Sequence, residues 1–328
     1  MHAILITEHG GPEVMKWTEL PTPSPARSEV LVRVEAAGVN FIDVYFRKGS
    51  YKMTLPAILG VEGAGVVERL GPDVISVRVG DRVAWADRLG ASSPGGTYAT
   101  HVVVPEARLV AIPPEVDVQT AAASILQGMT AHYLSHSTFA LRAGHSCLVH
   151  AAAGGVGLLL CQMAKKAGAR VIGTVSTDEK AALARRAGAD EVILYATQDF
   201  ESETRRLTSG RGVDVVYDSV GRTTFDGSLG SLATRGMLVL YGQSSGPVGP
   251  FDPQVLNAKG SLYLTRPTLG HYVATRDALL ERATEVLGWV KSGDLEVRIG
   301  ATFPLREAAQ AHRALEGRAT TGKVLLVT

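Results

Sequence analysis

The most constraining feature of this sequence is a glycine-rich turn between a strand-like and a helix-like segment. Residues 146–150 are largely apolar, residues 158–167 are helix-like, and the turn between them contains Gly154 and Gly157. Such a turn presents unpaired backbone N–H groups and the positive end of a helix dipole to an anion. The segment therefore predicts a binding site for the pyrophosphate of a dinucleotide.

The turn departs from the usual GxGxxG fingerprint, because Ala152 occupies the first glycine position. Gly154 keeps the second position, where the backbone approaches the pyrophosphate, and Gly157 keeps the third, where the helix packs closely on the strand. A glycine turn can also exist for steric reasons alone. The strand before it and the series of strand–helix units that it begins favour dinucleotide binding.

From about residue 120 onward, apolar strand-like segments alternate with amphipathic helix-like segments. We predict strands at 146–150, 170–175, 191–194, 213–218, 237–241 and 261–265, and helices at 157–167, 178–187, 199–208 and 224–232. This alternation is typical of a parallel sheet that is covered by helices on both faces. The predicted architecture is a doubly wound α/β domain.

The first 120 residues contain strand-like segments separated by turn formers such as those at 71–73 and 94–96. We predict an antiparallel, partly barrel-like β domain there. Four later segments have no place in a complete six-stranded sheet, namely helices at 271–290 and 306–316 and strands at 297–303 and 323–327. The chain is therefore expected to return to its first domain, with domain boundaries at 1–120, 121–267 and 268–328.

The residue after the second strand distinguishes the two pyridine nucleotides. An acidic residue about 20 positions beyond the glycine turn binds the ribose 2′-hydroxyl in NAD sites, whereas this position is Ser176. No carboxylate repels a 2′-phosphate there, and Lys180 lies one helical turn further on. Ser176 and Glu179 also fit a helix capping box, and Lys180 fits an ordinary surface charge, although these roles are compatible. We predict NADPH as the cofactor.

Composition and charge argue against several other classes of protein. The chain has 33 Lys and Arg against 32 Asp and Glu, so its net charge of +1 provides no field that attracts nucleic acid. Cys147 and Cys161 lie in apolar runs and fit reduced, buried thiols. No apolar run reaches the roughly 18 residues of a membrane span, and no export signal is visible. We therefore expect a cytoplasmic protein without membrane segments.

We also expect no metal site. A zinc site needs clustered cysteines or histidines, whereas the nine histidines are scattered and His132 and His136 alone share helical i,i+4 spacing. That pair lacks the carboxylate of an HExxH motif, so packing or solvent contact explains it better.

Several motifs together resemble the quinone oxidoreductases of the ζ-crystallin type, within the medium-chain dehydrogenase/reductase superfamily. The matching residues are Gly144, Leu148, 152–157, Gln162 and Lys165, with further motifs at 36–43, 79–83, 217–221, 260–267 and 318–323. Zinc-containing members of the superfamily carry a cysteine near Asn40 and a Gly-His-Glu where this chain has Gly60-Val61-Glu62. The chain departs at both metal positions, which agrees with its few cysteines.

The resemblance implies a GroES-like, mainly β catalytic domain into which a Rossmann domain is inserted, with NADPH in the cleft between them. It also implies a homodimer joined through the Rossmann edge strand at residues 261–265. The implied catalytic residues at the nicotinamide end are Asn40, Asp43, Tyr45 and Tyr51. The implied cofactor-binding residues are Tyr133, Gly154, Gly155, Val156, Gly157, Ser176, Lys180, Tyr195, Ser219, Gln243, Ser244, Ser245, Thr265, Arg266, Pro267 and Arg318. Each also has a structural alternative, since Asn40 and Asp43 fit turn formers and the tyrosines fit a half-buried core.

The expected activity is NADPH-dependent reduction of a small quinone without a metal. Hydride transfer from a nicotinamide requires proximity and a dry, oriented pocket more than a protein nucleophile. Reduction of an activated double bond in a 2-alkenal or enone is the alternative among enzymes. A crystallin-like protein that binds NADPH and serves a structural or RNA-binding role is the alternative from another class, and the near-neutral charge argues against nucleic acid.

Overall fold

The computed structural model describes residues 1–86 and 95–328, so the predicted turn at 94–96 begins outside the described residues. The chain divides into two compact units. Unit 1 comprises Met1–Met129 and Val273–Thr328, and unit 2 comprises Thr130–Tyr272. Among the described residues, no helix combines the length and the apolar character that crossing a bilayer requires.

The strands, in chain order, are β1 (His2–Ile6), β2 (Lys16–Glu19), β3 (Glu29–Val39), β4 (Ala57–Ile58), β5 (Glu62–Leu70), β6 (Arg82–Ala86), β7 (His101–Pro105), β8 (Val110–Ala111), β9 (Ser146–Val149), β10 (Arg170–Val175), β11 (Glu191–Leu194), β12 (Val213–Asp218), β13 (Leu232–Leu240), β14 (Tyr263–Thr265), β15 (Ile299–Pro304) and β16 (Lys323–Val327). The α-helices are α1 (Phe41–Arg47), α2 (Val118–Tyr133), α3 (Gly155–Lys166), α4 (Asp178–Arg186), α5 (Phe200–Leu207), α6 (Phe225–Gly230), α7 (Gln254–Ala258), α8 (Leu269–Tyr272), α9 (Arg276–Ser292) and α10 (Ala308–Glu316). A π-helical turn at Leu134–Thr138 continues α2.

Unit 2, whose residues are all described, contains a six-stranded sheet in the order β11-β10-β9-β12-β13-β14. Every neighbouring pair is parallel. This is the strand order of a Rossmann fold, in which the order reverses between the first and fourth strands, here β9 and β12. Because the strands are parallel, all their carboxyl ends meet at one edge of the sheet. The predicted doubly wound architecture is confirmed.

The described part of unit 1 contains a seven-stranded sheet built around β3. β3 pairs antiparallel with β5 over most of its length, with β7 near its start and with β16 at its end. A second sheet has the order β2-β1-β4. Apolar side chains from both sheets form a common core that includes Ile4, Val34 and Trp85. This unit is the mainly β, GroES-like domain that the sequence predicts, and both ends of the sequence contribute to it.

Several elements differ from the sequence prediction. The predicted helix at 271–290 is two helices, α8 and α9, because the Thr275 hydroxyl accepts the Ala278 N–H at 3.2 Å and starts a new helix. α1 and α7 were not predicted, since seven and five residues carry little periodic signal. The predicted helix at 224–232 ends at Gly230, and β13 begins earlier than expected.

Candidate active site and cofactor site

The glycine turn follows β9, at the point where the strand order of unit 2 reverses. α3 begins directly after Gly154, whose N–H donates to the Ala151 carbonyl at 2.8 Å. A Cβ at Gly157 would overlap the Ala151 carbonyl oxygen, so this glycine is required by the packing of the helix on the turn. The first N–H groups of a helix have no intrahelical acceptor, and here they belong to Gly155, Val156 and Gly157. The turn therefore fits a dinucleotide pyrophosphate.

Ala152 is tolerated at the first glycine position because the residue opposite it is small. Ala152 is fully buried, and its N–H donates to the Thr174 carbonyl at 3.1 Å. A Cβ added at Gly173 would lie 2.8 Å from the Ala152 methyl group. In the usual fingerprint, a glycine at the first position of the turn leaves this space. Here Gly173 on the neighbouring strand β10 leaves room for the methyl group of Ala152.

Ser176 and Tyr195 lie at the carboxyl ends of two neighbouring strands, because each directly follows the pair formed by Val175 of β10 and Leu194 of β11. Ser176 is half-buried and Tyr195 is exposed. The side chain that caps α4 belongs to Thr177, whose hydroxyl accepts the Lys180 N–H at 3.3 Å. The capping box considered for Ser176 and Glu179 is therefore wrong: Thr177 alone caps α4, and the cap does not depend on the Ser176 hydroxyl.

The loops after β12 and β13 pack against each other at the same edge of the sheet. The Ser244 N–H donates to the Ser219 carbonyl at 3.1 Å, and the Ser245 hydroxyl donates to the Val220 carbonyl at 2.7 Å. Asp218 fixes the first loop by accepting the N–H groups of Val220 and Gly221 at 2.7 and 3.0 Å. Gln243, Ser244 and Ser245 are half-buried in the second loop.

The last strand of this sheet ends in the predicted tripeptide. Thr265 closes β14 and pairs with Val239, so Thr265, Arg266 and Pro267 lie at the same sheet edge as the glycine turn. Arg266 is exposed and Pro267 is buried.

Tyr133 is buried and stacks on Tyr272, with ring centroids 4.2 Å apart. Burial, followed by the neighbouring Tyr241 and Tyr272, raises the pKa of Tyr133 well above its usual value.

In unit 1, three polar residues meet at the ends of three adjacent strands. Asn40 follows β3, Glu62 opens β5 and Lys323 opens β16. Lys323 Nζ forms an ion pair with Glu62 Oε1 and donates to Asn40 Oδ1 at 2.9 Å, and both charged side chains are almost completely buried. Asn40 Nδ2 donates to Glu62 Oε1 at 2.6 Å. We call this group, together with Gln127, the Asn40 cluster.

Two further contacts complete the Asn40 cluster. Gln127 Nε2 of α2 donates to Asn40 Oδ1 at 3.2 Å, and the Leu126 N–H donates to Glu62 Oε2 at 3.0 Å. Gly38 leaves room for the carboxylate, because a Cβ there would overlap Glu62 Oε1. Burial lowers the pKa of Lys323 to about 7, while the charge of Asp43 opposes this shift. A buried ion pair of this kind is maintained only when hydrogen bonds satisfy its remaining groups, as they do here.

Asp43 is fully buried in the first turn of α1 rather than exposed toward a ligand. Its Oδ2 accepts the Asn40 N–H at 2.8 Å and the Tyr98 hydroxyl at 3.0 Å. Burial raises the pKa of Asp43 to about 7, although the hydrogen bonds from Asn40 and Tyr98 and the charge of Lys323 oppose this shift. Its contacts give Asp43 a role in holding the start of α1.

Tyr45 and Tyr51 are half-buried neighbours, with ring centroids 5.2 Å apart in an edge-on arrangement. The Tyr51 N–H donates to the Tyr45 carbonyl at 3.2 Å. Asn40, Asp43, Tyr45 and Tyr51 therefore lie within one short stretch of unit 1.

Arg318 lies after α10, is exposed and has a φ of 57°.

His132 and His136 stack on each other, with ring centroids 4.5 Å apart. His136 Nδ1 lies 2.9 Å from the Ser135 hydroxyl and 3.1 Å from the His132 carbonyl. Over residues 1–86 and 95–328, no three His, Cys, Asp or Glu side chains come together as a possible metal-binding group.

Comparison with known proteins defines the class. Residues 26–114 match the alcohol dehydrogenase GroES-like domain, and residues 155–284 match the zinc-binding dehydrogenase family. A domain of each kind, in this order, defines a medium-chain dehydrogenase/reductase.

Individual relatives narrow the class to one family. The chain is 46% identical over 325 residues to a quinone oxidoreductase of Pseudomonas aeruginosa, covering 99% of this chain and 98% of that protein. It is 41% identical over 332 residues to a 2-haloacrylate reductase of a Burkholderia species, covering 99% and 98%. The structure of Escherichia coli quinone oxidoreductase complexed with NADPH superimposes with a TM-score of 0.96 at 41% identity, covering 100% of both chains. The chain belongs to the quinone oxidoreductase family.

Sequence reasoning missed Gln127 and Lys323 of the Asn40 cluster. It also missed Tyr98 and His312 beside Asp43, where the Tyr98 hydroxyl donates to Asp43 Oδ2 and lies 3.1 Å from His312 Nε2. Glu62 and Lys323 were visible only as parts of longer motifs. One signal was available, because Glu62 and Lys323 are charged residues that directly precede apolar strand segments. A charge at the buried end of a strand indicates a partner, but the sequence does not identify that partner.

Proposed function

We propose that this protein transfers hydride from NADPH to a small quinone, giving NADP⁺ and, after uptake of one proton, the hydroquinone. The observation that carries this proposal is the glycine turn at the N-terminus of α3, at the switch point of a Rossmann sheet. The names of the relatives from Pseudomonas aeruginosa and Escherichia coli support it. Under this proposal, residues 121–267 form the NADPH-binding domain, and residues 1–120 and 268–328 form the catalytic domain.

Binding of NADPH is proposed to use chiefly residues at the carboxyl edge of the unit 2 sheet. The N–H groups of Gly155, Val156 and Gly157 would receive the pyrophosphate. Ser176, Lys180 and Tyr195 would receive the 2′-phosphate, since no carboxylate follows β10 directly. The remaining proposed contacts are Tyr133, Gly154, Ser219, Gln243, Ser244, Ser245, Thr265, Arg266, Pro267 and Arg318.

The bound nicotinamide supplies a hydride, and the residues of unit 1 are proposed to orient the acceptor that receives it. Asn40 and the hydroxyl groups of Tyr45 and Tyr51 would hold the acceptor carbonyl oxygen, with Asp43 fixing the backbone from which Asn40 projects. A quinone accepts hydride readily, so orientation and exclusion of water are the main requirements. Solvent would supply the proton.

The experiment compares cofactors and acceptors in one assay. We expect 1,4-benzoquinone and 9,10-phenanthrenequinone to be reduced with NADPH and much less efficiently with NADH. Tyr51→Phe and Asn40→Ala should each lower kcat/KM for quinone, whereas Tyr263→Phe, at an exposed tyrosine of β14, serves as the matched hydroxyl control. Unchanged quinone turnover in both the Tyr51 and the Asn40 variants would refute the proposed acceptor site.

Reduction of an activated double bond is the second candidate, and the 2-haloacrylate reductase of Burkholderia supports it. Both reactions place hydride on an electron-poor carbon system that carries an oxygen substituent. Assaying 2-chloroacrylate beside the two quinones with NADPH would separate them, because the preferred acceptor has the larger kcat/KM. A 2-chloroacrylate preference would reassign the acceptor while leaving the cofactor proposal intact.

We further propose that the protein is a cytoplasmic homodimer joined through residues 261–265. β14 is the edge strand of its sheet, and Tyr263 on it is 52% exposed. The buried thiols of Cys147 and Cys161 and the use of NADPH fit a reducing compartment. Light scattering should give twice the chain mass for the wild type and for Trp17→Glu, a control at another exposed aromatic residue, but the monomer mass for Tyr263→Glu.

A further inference from the structure

The hydrogen bonds of the Asn40 side chain determine which of its atoms is oxygen and which is nitrogen. A lysine ammonium only donates, so the atom 2.9 Å from Lys323 Nζ is the Asn40 oxygen. A carboxylate only accepts, so the atom 2.6 Å from Glu62 Oε1 is the Asn40 nitrogen. The ion pair thus holds the amide in one orientation, because a flip would bring donor against donor and acceptor against acceptor.

The same contacts use most of the hydrogen-bonding capacity of Asn40. Its Oδ1 has two lone pairs, and Lys323 Nζ and Gln127 Nε2 occupy both. Its Nδ2 carries two hydrogens, and Glu62 is its single acceptor among the described residues. Asn40 therefore retains one N–H group and no acceptor, so any further partner of its side chain must be a hydrogen-bond acceptor.

The geometry points to Lys323 as a positioning residue: we propose that Lys323 and Glu62 orient Asn40 so that its remaining Nδ2–H donates to the oxygen of the hydride acceptor. This inference rests on the proposed function and adds to it a specificity rule. The site selects acceptors that present a carbonyl or carboxylate oxygen, on which negative charge develops as the hydride arrives. Lys323 itself does not contact the acceptor in this proposal.

Topology explains why this orientation is rigid. β3, β5 and β16 are adjacent strands, and Val39 of β3 pairs with Val324 of β16, so Asn40 and Lys323 lie at matching strand ends. The Leu126 N–H donates to the other carboxylate oxygen of Glu62, Oε2, and so fixes this side chain as well. Glu62, Lys323 and Gln127 lie on strands or a helix, and Asn40 lies directly between β3 and α1, so regular elements hold the Asn40 cluster in place.

The test separates orientation of the amide from neutralisation of a buried charge. Lys323→Met leaves Glu62 buried without its counter-ion, so this variant should lose both stability and rate. Lys323→Met combined with Glu62→Gln removes both charges and should recover most of the lost stability. If Lys323 orients Asn40, the double variant still reduces 1,4-benzoquinone roughly 10- to 100-fold more slowly in single turnovers. Its affinity for NADPH should change by less than about threefold, because the loss is at the acceptor.

Lys291→Met is the matched control, because Lys291 pairs with Glu115 at 3.0 Å on the surface of unit 1. This variant should retain the wild-type rate and stability. A double variant that regains both stability and single-turnover rate would overturn the proposal, since Lys323 would then be only a counter-ion for Glu62.

A second measurement does not depend on turnover. Hydrogen exchange of the Asn40 side-chain amide, followed by ¹⁵N NMR, should be slow in the wild type and at least tenfold faster in the double variant. A slower reaction with unchanged exchange would also overturn the proposal. If the wild type reduces neither quinones nor 2-chloroacrylate, the proposed function fails, whereas the exchange comparison still decides whether Lys323 holds the Asn40 amide.

Discussion

Tyr98 and Asp43 form a buried hydrogen bond in which the Tyr98 hydroxyl donates to Asp43 Oδ2 at 3.0 Å. On its other side the hydroxyl lies 3.1 Å from His312 Nε2, and His312 Nδ1 lies 2.8 Å from Arg47 Nη1. A guanidinium only donates, so Nδ1 accepts and Nε2 carries the proton that it donates to Tyr98. Every donor in this chain therefore points toward Asp43. Arginine does not release its proton at ordinary pH. This series of hydrogen bonds therefore holds α1 in place and does not relay protons.

Asp43→Asn should change how stability depends on pH. Burial raises the pKa of Asp43 from 3.8 to about 7 in the folded protein. Between these values the folded state retains a proton that the unfolded state has released, so the contribution of Asp43 is full below the unfolded pKa and is lost as the pH rises through 7. The unfolding free energy of wild type minus variant should fall by roughly 1.4 kcal/mol per pH unit in this window.

Urea denaturation of the wild type and Asp43→Asn at pH 4.5, 5.5, 6.5 and 7.5 measures this difference. The oxygen of the new amide can accept both hydrogen bonds of Oδ2, while its NH2 takes the place of Oδ1, which has no partner among the described residues. The unpaired NH2 lowers stability by the same amount at every pH, so it leaves the slope unchanged. Asp73→Asn, at an exposed ion pair with Arg27, is the control and should give a flat difference. A flat or rising difference for Asp43→Asn would contradict the assignment.

Glu316→Gln should destabilise unit 1 by about 1–3 kcal/mol. Arg47 is fully buried, and its Nη2 donates to Glu316 Oε1 at 2.6 Å, so the substitution leaves a buried guanidinium without its counter-ion. Lys48 is the other partner of Glu316: its Nζ lies 2.5 Å from Glu316 Oε2, but its side chain is half exposed. Lys48→Met should therefore lower the free energy of unfolding by less than about 1 kcal/mol. Thermal melts of the two variants should rank Glu316→Gln well below Lys48→Met, and equal melting temperatures would show that Arg47 needs no charge at position 316.

Gly157→Ala should lower both stability and NADPH affinity. The new methyl group would overlap the Ala151 carbonyl and lie 2.8 Å from Ala152 Cα, so backbone atoms of the turn must move, at a cost of about 2–3 kcal/mol. Gly288→Ala is the control, because the space around Gly288 in α9 is open, and it should stabilise the protein by about 0.5–1 kcal/mol. Differential scanning calorimetry and fluorescence titration with NADPH measure both effects. Unchanged NADPH affinity in the Gly157→Ala variant would show that the glycine turn does not bind the cofactor.

Ser176→Asp should reverse the preference between the two nicotinamide nucleotides. A carboxylate at the end of β10 would repel the 2′-phosphate and accept hydrogen bonds from a ribose 2′-hydroxyl. We expect the Kd for NADPH to rise roughly 10- to 100-fold, with an unchanged or lower Kd for NADH. Ser202→Asp adds the same charge in the first turn of α5 and should leave both constants near their wild-type values. Equal wild-type affinity for NADPH and NADH would remove the basis of this prediction.

The regular part of the fold could be predicted from the sequence, because each strand of unit 2 is an apolar run bounded by turn formers. β10, β11 and β12, and β16 of unit 1, were predicted at their observed bounds. The short helix α1 was not predicted, since its seven residues carry little periodicity, although Asn40 and Asp43 have the spacing of a capping box at its start. The break before α9 similarly depends on a single side-chain cap at Thr275.

The candidate site could be predicted only where chemistry follows from local spacing. The glycine turn lies within a few residues of the chain, whereas the Asn40 cluster joins residues 283 positions apart in sequence, since Lys323 bonds to Asn40. No local pattern contains such a contact. The roles of the individual cofactor and acceptor residues, and the exact domain boundaries, stay predictions.

The pairing of β3 with β16 also has a consequence for biosynthesis. The ribosome makes β3 early in synthesis. β16, which pairs with the end of β3 and contains Lys323, emerges only after the whole of unit 2. Until then Glu62 lacks its counter-ion, and the end of β3 is an open strand edge that can pair with other chains. Nascent chains stalled before residue 323 should therefore depend on chaperones far more than the released protein does.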